Sequence, residues 1–164
     1  MMVRNGWLFV VLAVWLGQAM MAAPAERVID DWLVLGPVPL TAAENSLLPT
    51  VRDLRDYPFL AAPVTTPAAG DKAAWPGAEP LTWRRGKASF TAGNRPEVFF
   101  LALPLHSERA LEARLRFAPG PGLRVFWDGE PVGDTEGKDE WVCSLKVRPG
   151  PHRLWVQGVL PAKA

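Results

Sequence analysis

The chain has 164 residues, a formal net charge of +1 and one cysteine. This length predicts a single domain once any targeting segment is removed. The balanced charge provides no long-range field for nucleic acid or an anionic membrane surface, so neither is expected as a principal partner. A lone cysteine excludes an internal disulfide, and a domain of roughly 140 residues buries enough surface to fold without one. The 17 prolines and 14 glycines favour short strands joined by many turns.

Residues 1–25 have the composition of a secretory signal peptide. Arg4 supplies the positive charge, residues 7–16 form an unbroken apolar run, and Ala23 and Ala25 are the candidate last residues before cleavage. An uncleaved anchor is the alternative, because the apolar run and the small residues after it approach the length that spans a bilayer. In that case the membrane is contacted through this segment alone. Both alternatives predict export, to the periplasm or to the extracellular space.

Residues 26–164 are predicted to form the single domain. Its first strand is expected at residues 28–36, which are apolar on both sides and end in a Gly-Pro pair. The capping-box spacing of Thr41 and Glu44 predicts one or two short helical turns. Residues 60–80 are rich in alanine and proline and lack periodicity, which predicts an irregular surface loop.

Two further segments precede the most regular part of the sequence. Residues 81–90 predict a β-hairpin around Arg85-Gly86. Residues 97–105 form an almost continuous apolar run, as expected for a central strand, and Pro104 is expected to mark its end.

The stretch from residue 110 to residue 159 alternates apolar and polar side chains, the period-two pattern of strands with one buried face. Asp128-Gly129 and Pro149-Gly150-Pro151 are turn sequences between these strands. The sequence therefore predicts an all-β fold, an antiparallel β-sandwich. The side chains predicted to face its interior are Leu111, Ala113, Leu115, Phe117, Leu123, Val125, Trp127, Trp141, Cys143, Leu145, Val147, Leu154 and Val156, and Trp32 and Trp83 are also assigned to the core.

Three segments carry motifs of hydrophobic residues beside a glycine turn. Asp31–Pro37 has the sequence DWLVLGP, Leu123–Val132 has LRVFWDGEPV and Val147–Val156 has VRPGPHRLWV. In this order they resemble the "W-x-V-x-GPF", "V-x-V-W-L-N-G-K-x-V" and "L-x-x-G-x-N-x-L-x-V" motifs of bacterial extracytoplasmic jelly-roll modules with a galactose-binding-like fold. Asp128 stands where these modules usually have Asn, and Val38 where they have Phe. The resemblance implies a jelly-roll sandwich that acts as an accessory unit, and it implies no particular ligand.

Few residues are candidates for catalysis. His106 is expected in an exposed turn, and His152 in the hairpin that follows Pro-Gly-Pro. Cys143 lies on an inward-facing row, which predicts a buried and inert thiol. The sequence contains no G-x-S-x-G or H-E-x-x-H motif, no cysteine pair and no glycine-rich phosphate loop. We therefore predict that the protein is not an enzyme.

Six carboxylates lie between residues 128 and 140. A solvated acidic loop is one interpretation of this stretch. A weak calcium site formed by Asp134, Glu136 and Asp139 is another, because hard oxygen ligands cluster and Gly137 permits a tight loop. The spacing lacks a complete EF-hand loop. A pair of glycosidase carboxylates is a third interpretation, and no cofactor other than calcium is expected.

A candidate ligand-binding face lies on the side of the sheet opposite the predicted core. Phe126 and Trp155 fall on this side, and aromatic rings flanked by polar side chains suit both the apolar faces and the polar edges of sugars. The alternatives are that the loop at residues 60–80 or a short helix covers these aromatics, or that they dock another protein. The candidate binding residues are Phe126, Trp155, Arg124, Arg153, Gln157 and Trp75.

Two classes of function follow from this pattern. The first is an exported, non-catalytic binding module with carbohydrate as the candidate ligand. The second is a structural or protein-interaction accessory subunit of the cell envelope without a small-molecule ligand. A glycan or an envelope protein is thus the expected partner. A third alternative is the remnant of a longer enzyme.

Overall fold

A computed structural model describes residues 10–15, 25–40, 66–75, 79–117, 122–134 and 140–163. Within these ranges the chain forms twelve strands, every observed strand pair is antiparallel, and no helix occurs. The same ranges therefore contain no helix that could cross a membrane. The helical turns predicted near Thr41 lie outside the described residues.

The strands follow one another along the chain with few long connections in the second half. In chain order they are β1 (Val10–Trp15), β2 (Ala25–Ile29), β3 (Trp32–Pro39), β4 (Lys72–Ala73), β5 (Leu81–Thr82), β6 (Arg84–Gly86), β7 (Glu97–Ser107), β8 (Leu111–Phe117), β9 (Leu123–Trp127), β10 (Glu130–Asp134), β11 (Trp141–Val147) and β12 (Gly150–Leu160). The small sheet has the order β11-β8-β1-β2, the large sheet has the order β10-β9-β12-β7-β3-β6, and β4 pairs with β5 alone.

The core lies between the small sheet and the large sheet. Buried side chains from both sheets form one cluster, here called the inner cluster, as expected when two amphipathic sheets pack face to face. The large sheet contributes Trp32, Val34, Phe99, Leu101, Leu123, Val125, Leu154, Val156 and Leu160, and the small sheet contributes Ala113, Leu115, Phe117, Trp141, Leu145 and Val147. The all-β prediction is confirmed, and the architecture is that of an antiparallel β-sandwich.

The predicted inward-facing rows agree with the observed burial. Every member of those rows either belongs to the inner cluster or packs against it, including the half-buried Trp127 and Cys143. Trp83 differs, because it is buried in a second cluster on the opposite side of the large sheet.

The strand predicted at residues 28–36 is two strands in two sheets. β2 ends at Ile29 in the small sheet, and β3 begins at Trp32 in the large sheet. Asp30 and Asp31 form the connection between them, so residues 28–36 cross from one layer to the other. The prediction of one continuous strand was wrong, because two charged side chains interrupt the pattern at the point where the chain changes sheet.

β3 also continues past the Gly-Pro pair that was predicted to end it. Its pairing with β7 shifts register between Leu35 and Val38. At this irregularity Gly36 has φ +89°, and a Cβ atom there would lie 2.8 Å from the Val98 carbonyl oxygen. Only glycine therefore fits this close approach of two backbones.

Two other strand predictions need correction. The hairpin predicted at residues 81–90 is absent from the described chain, because β5 pairs with β4 whereas β6 pairs with β3. β7 does not end at Pro104 but continues to Ser107. β3 pairs with β7 only as far as Ala102, so Pro104 lies where β7 has β12 as its single paired neighbour, and proline is tolerated at such an edge.

The turn at Asp128-Gly129 has the predicted position and a tight geometry. Both residues have positive φ, +52° and +91°, as a two-residue hairpin of the right twist requires. The hairpin joins β9 to β10, so part of the acidic stretch that follows is a strand. On β10, Gly133 leaves room for the Trp141 ring, which would overlap with a Cβ atom at that position.

Candidate functional site

The outer face of the large sheet carries the candidate binding residues together. Strand pairing places Phe126 beside Trp155 and Arg124 beside Gln157 on neighbouring strands. Val125 and Val156, which alternate with these residues, belong to the inner cluster. The side chains therefore share the face that points away from the core.

A second hydrophobic cluster, here called the outer cluster, covers this face. Its buried members are Leu33, Leu35, Leu40, Ala73, Trp75, Trp83, Val98, Phe100, Ala102, Phe126 and Trp155. Three of these belong to residues 66–75 and 79–83, here called the cover segment. Trp83 meets Trp155 edge to face with ring centroids 5.6 Å apart, and Trp75 lies 6.2 Å from Phe100. Such aromatic contacts add to the stabilisation from burial.

Backbone hydrogen bonds hold the cover segment in a compact shape. The Trp83 N–H donates to the Asp71 carbonyl at 3.0 Å, and the Gly70 N–H donates to the Trp83 carbonyl at 2.8 Å. Lys72 Nζ donates to Thr82 Oγ1 at 2.6 Å. β4 and β5 are two residues long each, so the cover is fixed by few bonds compared with either sheet.

Burial decides what the aromatic residues can contact in this arrangement. Phe126 is 3% exposed and Trp155 is 7% exposed, while Arg124 and Arg153 are half-buried. A sugar stacks on an aromatic ring only where the ring face is open. With the cover segment in place, Phe126 and Trp155 pack against protein. A covered face of this kind is one of the alternatives that the sequence allowed.

Gln157 is the unusual polar member of this face. It is 3% exposed, and within the described part of the chain its Oε1 atom has no hydrogen-bond partner. A buried acceptor without a partner costs about 1–3 kcal/mol relative to a satisfied one. The outer face of the large sheet thus holds an unsatisfied amide oxygen.

A second polar constellation joins the two turns at one end of the sandwich. His152 Nδ1 lies 2.7 Å from Asp128 Oδ2, and His152 Nε2 lies 2.6 Å from the Arg148 carbonyl oxygen. Asp128 Oδ1 accepts the Arg153 N–H at 2.8 Å. The Trp127 ring stacks on the imidazole with centroids 5.0 Å apart. The side chain of His152 is buried.

This geometry requires both imidazole nitrogens to donate. A backbone carbonyl and a carboxylate are acceptors, so both contacts are hydrogen bonds only when the ring carries two N–H groups, as in the imidazolium form. Burial of the ring lowers the pKa of His152, but the hydrogen bond to Arg148, with the hydrogen bond and charge of Asp128, raises that pKa above its ordinary 6.5. A cation over the Trp127 ring is also favourable. Neither nitrogen is free to accept a proton from a substrate.

The remaining nucleophile and base candidates lie apart from this constellation. Cys143 is half-buried on β11, and burial raises the pKa of its thiol, which disfavours the nucleophilic thiolate. His106 is exposed, but it lies within β7 rather than in the predicted turn.

The structure describes one of the three predicted calcium ligands. Glu136 and Asp139 lie outside the described residues, and Asp134 is described only as the last residue of β10. Nearby, Glu140 forms an ion pair with Arg116. The described residues contain no group of three or more His, Cys, Asp or Glu side chains that could hold a metal ion.

The constellation at His152 was missed by reasoning from the sequence, although a signal was present. The Asp-Gly turn and the Pro-Gly-Pro-His turn were each recognised, but their strands are neighbours only in the folded sheet. Pairing of β9 with β12 brings the two turns to the same end of the sandwich. A carboxylate in one turn and a histidine in the other are then within hydrogen-bonding distance.

Comparison with known proteins adds no assignment to this geometry. No protein-family model matches the chain, and neither a curated protein nor a solved structure matches it.

Proposed function

We propose that the protein is an exported, non-catalytic accessory module of the cell envelope, of jelly-roll, galactose-binding-like type, that acts by binding another protein. The observation that carries this choice is the closed outer face of the large sheet. Its aromatic residues pack beneath the cover segment, which leaves the module without an open aromatic platform there. The motifs around Gly36, Gly129 and Gly150 support the same module type by resemblance.

A non-catalytic role agrees with the polar chemistry of the described residues. The imidazole of His152 uses both nitrogens to join Asp128 to the backbone at Arg148. Burial raises the pKa of the Cys143 thiol, which disfavours the nucleophilic thiolate. These groups stabilise turns and strands, and in this arrangement neither is positioned for general acid–base or covalent catalysis.

The test is co-purification of an envelope protein followed by reconstitution. The exported chain is cross-linked in its own cells, the partner is identified, and the complex is rebuilt from the two purified proteins. We expect a one-to-one complex that survives gel filtration, with no retardation of the module in gels that contain soluble polysaccharides. Failure to rebuild any complex, together with polysaccharide retardation, would contradict the proposal.

Carbohydrate binding is the second candidate, and Gln157 is the observation that favours it. An unsatisfied amide oxygen on the same face of β12 as Trp155 is a polar group that a sugar hydroxyl would satisfy. The ligand would enter only after the cover segment moves away from Trp155. Affinity electrophoresis tests this candidate: retardation that is lost in Trp155→Ala and weakened in Gln157→Leu supports a glycan site.

A further inference from the structure

The apolar run of the predicted signal peptide occupies a strand position in the small sheet. β1 lies between β8 and β2, paired with β8 from Val10↔Phe117 to Trp15↔Glu112 and with β2 from Val10↔Ile29 to Val14↔Ala25. The position of β1 between β8 and β2 is here called the strand slot. The same residues belong to the segment that signal cleavage would remove. A molecule whose signal peptide has been cleaved off cannot also hold these residues as β1.

We propose that the exported chain, once its leader is removed, accepts a β-strand from its partner protein in the strand slot. Cleavage after Ala23 or Ala25 takes away the whole of β1 and leaves unpaired the edge of β8 that lies opposite β11. An open strand edge is a template for pairing with another chain, and strand addition is a common mode of peptide recognition. This inference rests on the proposed function and names the surface through which the module would bind.

The slot specifies the strand that fits it. On the core side, the register positions opposite Ala113, Leu115 and Phe117 adjoin side chains that are at most 2% exposed. These three positions require apolar residues, and the segment seated there has Val10, Leu12 and Val14 at them.

The outer side of the slot makes a different demand. There the register positions face the exposed side chains of Glu112, Arg114 and Arg116, so polar residues of either charge are accommodated. The expected occupant is a strand of at least six residues that runs antiparallel to β8 and alternates apolar with other residues.

The outer surface around the slot also carries exposed apolar groups. Val142 on β11 and Val28 on β2 are 53% and 51% exposed. Register places them in one cross-strand row with Arg116, on either side of the slot. A partner whose strand fills the slot would also lie over this row, which extends the contact beyond the strand itself.

β2 is poorly suited to close the slot by itself. It is antiparallel to β1, as β8 is, and therefore runs parallel to β8. It cannot inherit the register that β1 has with β8. Its end at Ile29 is also close to Trp32, which is paired with Gly86 in the large sheet, so little chain is available for a shift.

The experiment uses the full chain, exported by a host through its own N-terminus. Mass spectrometry of the recovered protein reads the first residue, which we expect to be Pro24 or Glu26. The probe is a synthetic peptide with the sequence of Val10–Trp15 and a soluble tail, in which cysteine replaces Ala13. It is incubated in a glutathione redox buffer with the exported Arg114→Cys variant. Arg114 is exposed, so this substitution leaves the core unchanged.

We expect this Ala13→Cys peptide to form a mixed disulfide with the variant, because register pairs Ala13 with Arg114. A matched Leu12→Cys peptide is the control, since register pairs position 12 with the buried Leu115 and not with Arg114. Trapping of the first peptide at about tenfold the rate of the second, with new hydrogen-exchange protection in β8, supports the slot. If the exported chain is unfolded alone, folding on addition of the peptide supports it equally.

Three outcomes would overturn the inference. A mature N-terminus before residue 10 means that β1 stays in place. Equal trapping of both peptides, or of neither, by a folded and cleaved chain means that the slot is closed. A dimer that buries β8 means that a second copy fills it. None of these results decides whether a reconstituted envelope complex forms, so the proposed function is judged separately.

Discussion

The inner face of the large sheet is covered by the small sheet, whereas its outer face is covered by the cover segment, whose paired strands have two residues each. The inner cluster is held by long ladders on both sides. The outer cluster depends on the aromatic rings of Trp75 and Trp83 to hold a short piece of chain against Trp155. Burial alone therefore does not rank the two faces. The packing of the two sheets on the inner face maintains the fold. We expect the cover segment to detach from the outer face at a lower free-energy cost than the two sheets separate.

Both faces hold buried polar side chains, and His152 and Gln157 differ in how they are satisfied. On the inner face His152 has partners at both ring nitrogens. On the outer face Gln157 has an amide oxygen without a partner among the described residues. The first group adds to stability in its present arrangement, and the second subtracts from it.

The largest expected effect is in the inner cluster. Phe99 is fully buried, packs beside Phe90 and lies against Gly158, so Phe99→Ala leaves a cavity that two sheets cannot close. We expect a loss of ~3–5 kcal/mol in the free energy of unfolding. Urea denaturation measures it, with Phe99→Leu as the milder control. A loss below ~1 kcal/mol would show that the sheets collapse onto each other.

The corresponding change in the outer cluster is expected to cost less. Trp75→Ala removes one of the rings that hold the cover segment, and this short segment can settle onto the sheet. We expect a loss of about 2 kcal/mol, below the usual range for buried aromatic residues. Limited proteolysis should cut near residues 66–83 faster in the variant than in wild type. Equal cutting rates would mean that the cover segment is as firmly held as the sheets.

The polar group of the inner face predicts a pH dependence. Because the folded pKa of His152 is raised above 6.5, its stabilisation is complete below that pH and is lost as the pH rises through the folded pKa. We expect a loss of about 1 kcal/mol, since the Asp128 carboxylate is partly exposed. Unfolding by urea at pH values from 5 to about 9 measures it.

Asp128→Asn is the matched variant for this measurement. It removes the charge that faces His152 while keeping a residue suited to the turn, so the fall in stability with rising pH should shrink. An unchanged pH profile would assign the dependence to another group.

The smallest expected effect is on the outer face. Gln157→Leu replaces the unsatisfied amide with a side chain of similar size, and we expect stability to rise by up to about 1 kcal/mol. Gln157→Glu, which adds a buried charge, should destabilise the protein and serves as the contrasting variant. A loss of stability in Gln157→Leu would show that the amide is satisfied in solution.

The fold was predictable for strands in which apolar and polar residues alternate and only one face is buried. β8, β9 and β11 each show apolar side chains at every second position, and the structure buries or half-buries those positions. Alternation gives no information on which layer a strand joins, so the sequence missed the change of sheet between Ile29 and Trp32. It also missed the separate partners of β5 and β6, because pairing across distant parts of the chain has no local pattern.

The sequence predicted which face of the sheet carries the candidate site, but not that the cover segment packs over that face. The placement of Phe126 and Trp155 on one face follows from their spacing relative to Val125 and Val156. Whether that face is open depends on where residues 66–83 pack, and a segment without periodicity carries no signal of its docking position.

The acid at position 128 has a use that an asparagine amide would not serve. Asp128 adopts a left-handed backbone conformation that asparagine accepts more readily. Its side chain, however, accepts one hydrogen bond from the Arg153 N–H and another from the His152 ring, one at each oxygen. An asparagine would present a donor to one of them. Aspartate at this position has a less favourable backbone conformation but offers two acceptors. Because one of them faces His152, the stability of this end of the domain depends on pH.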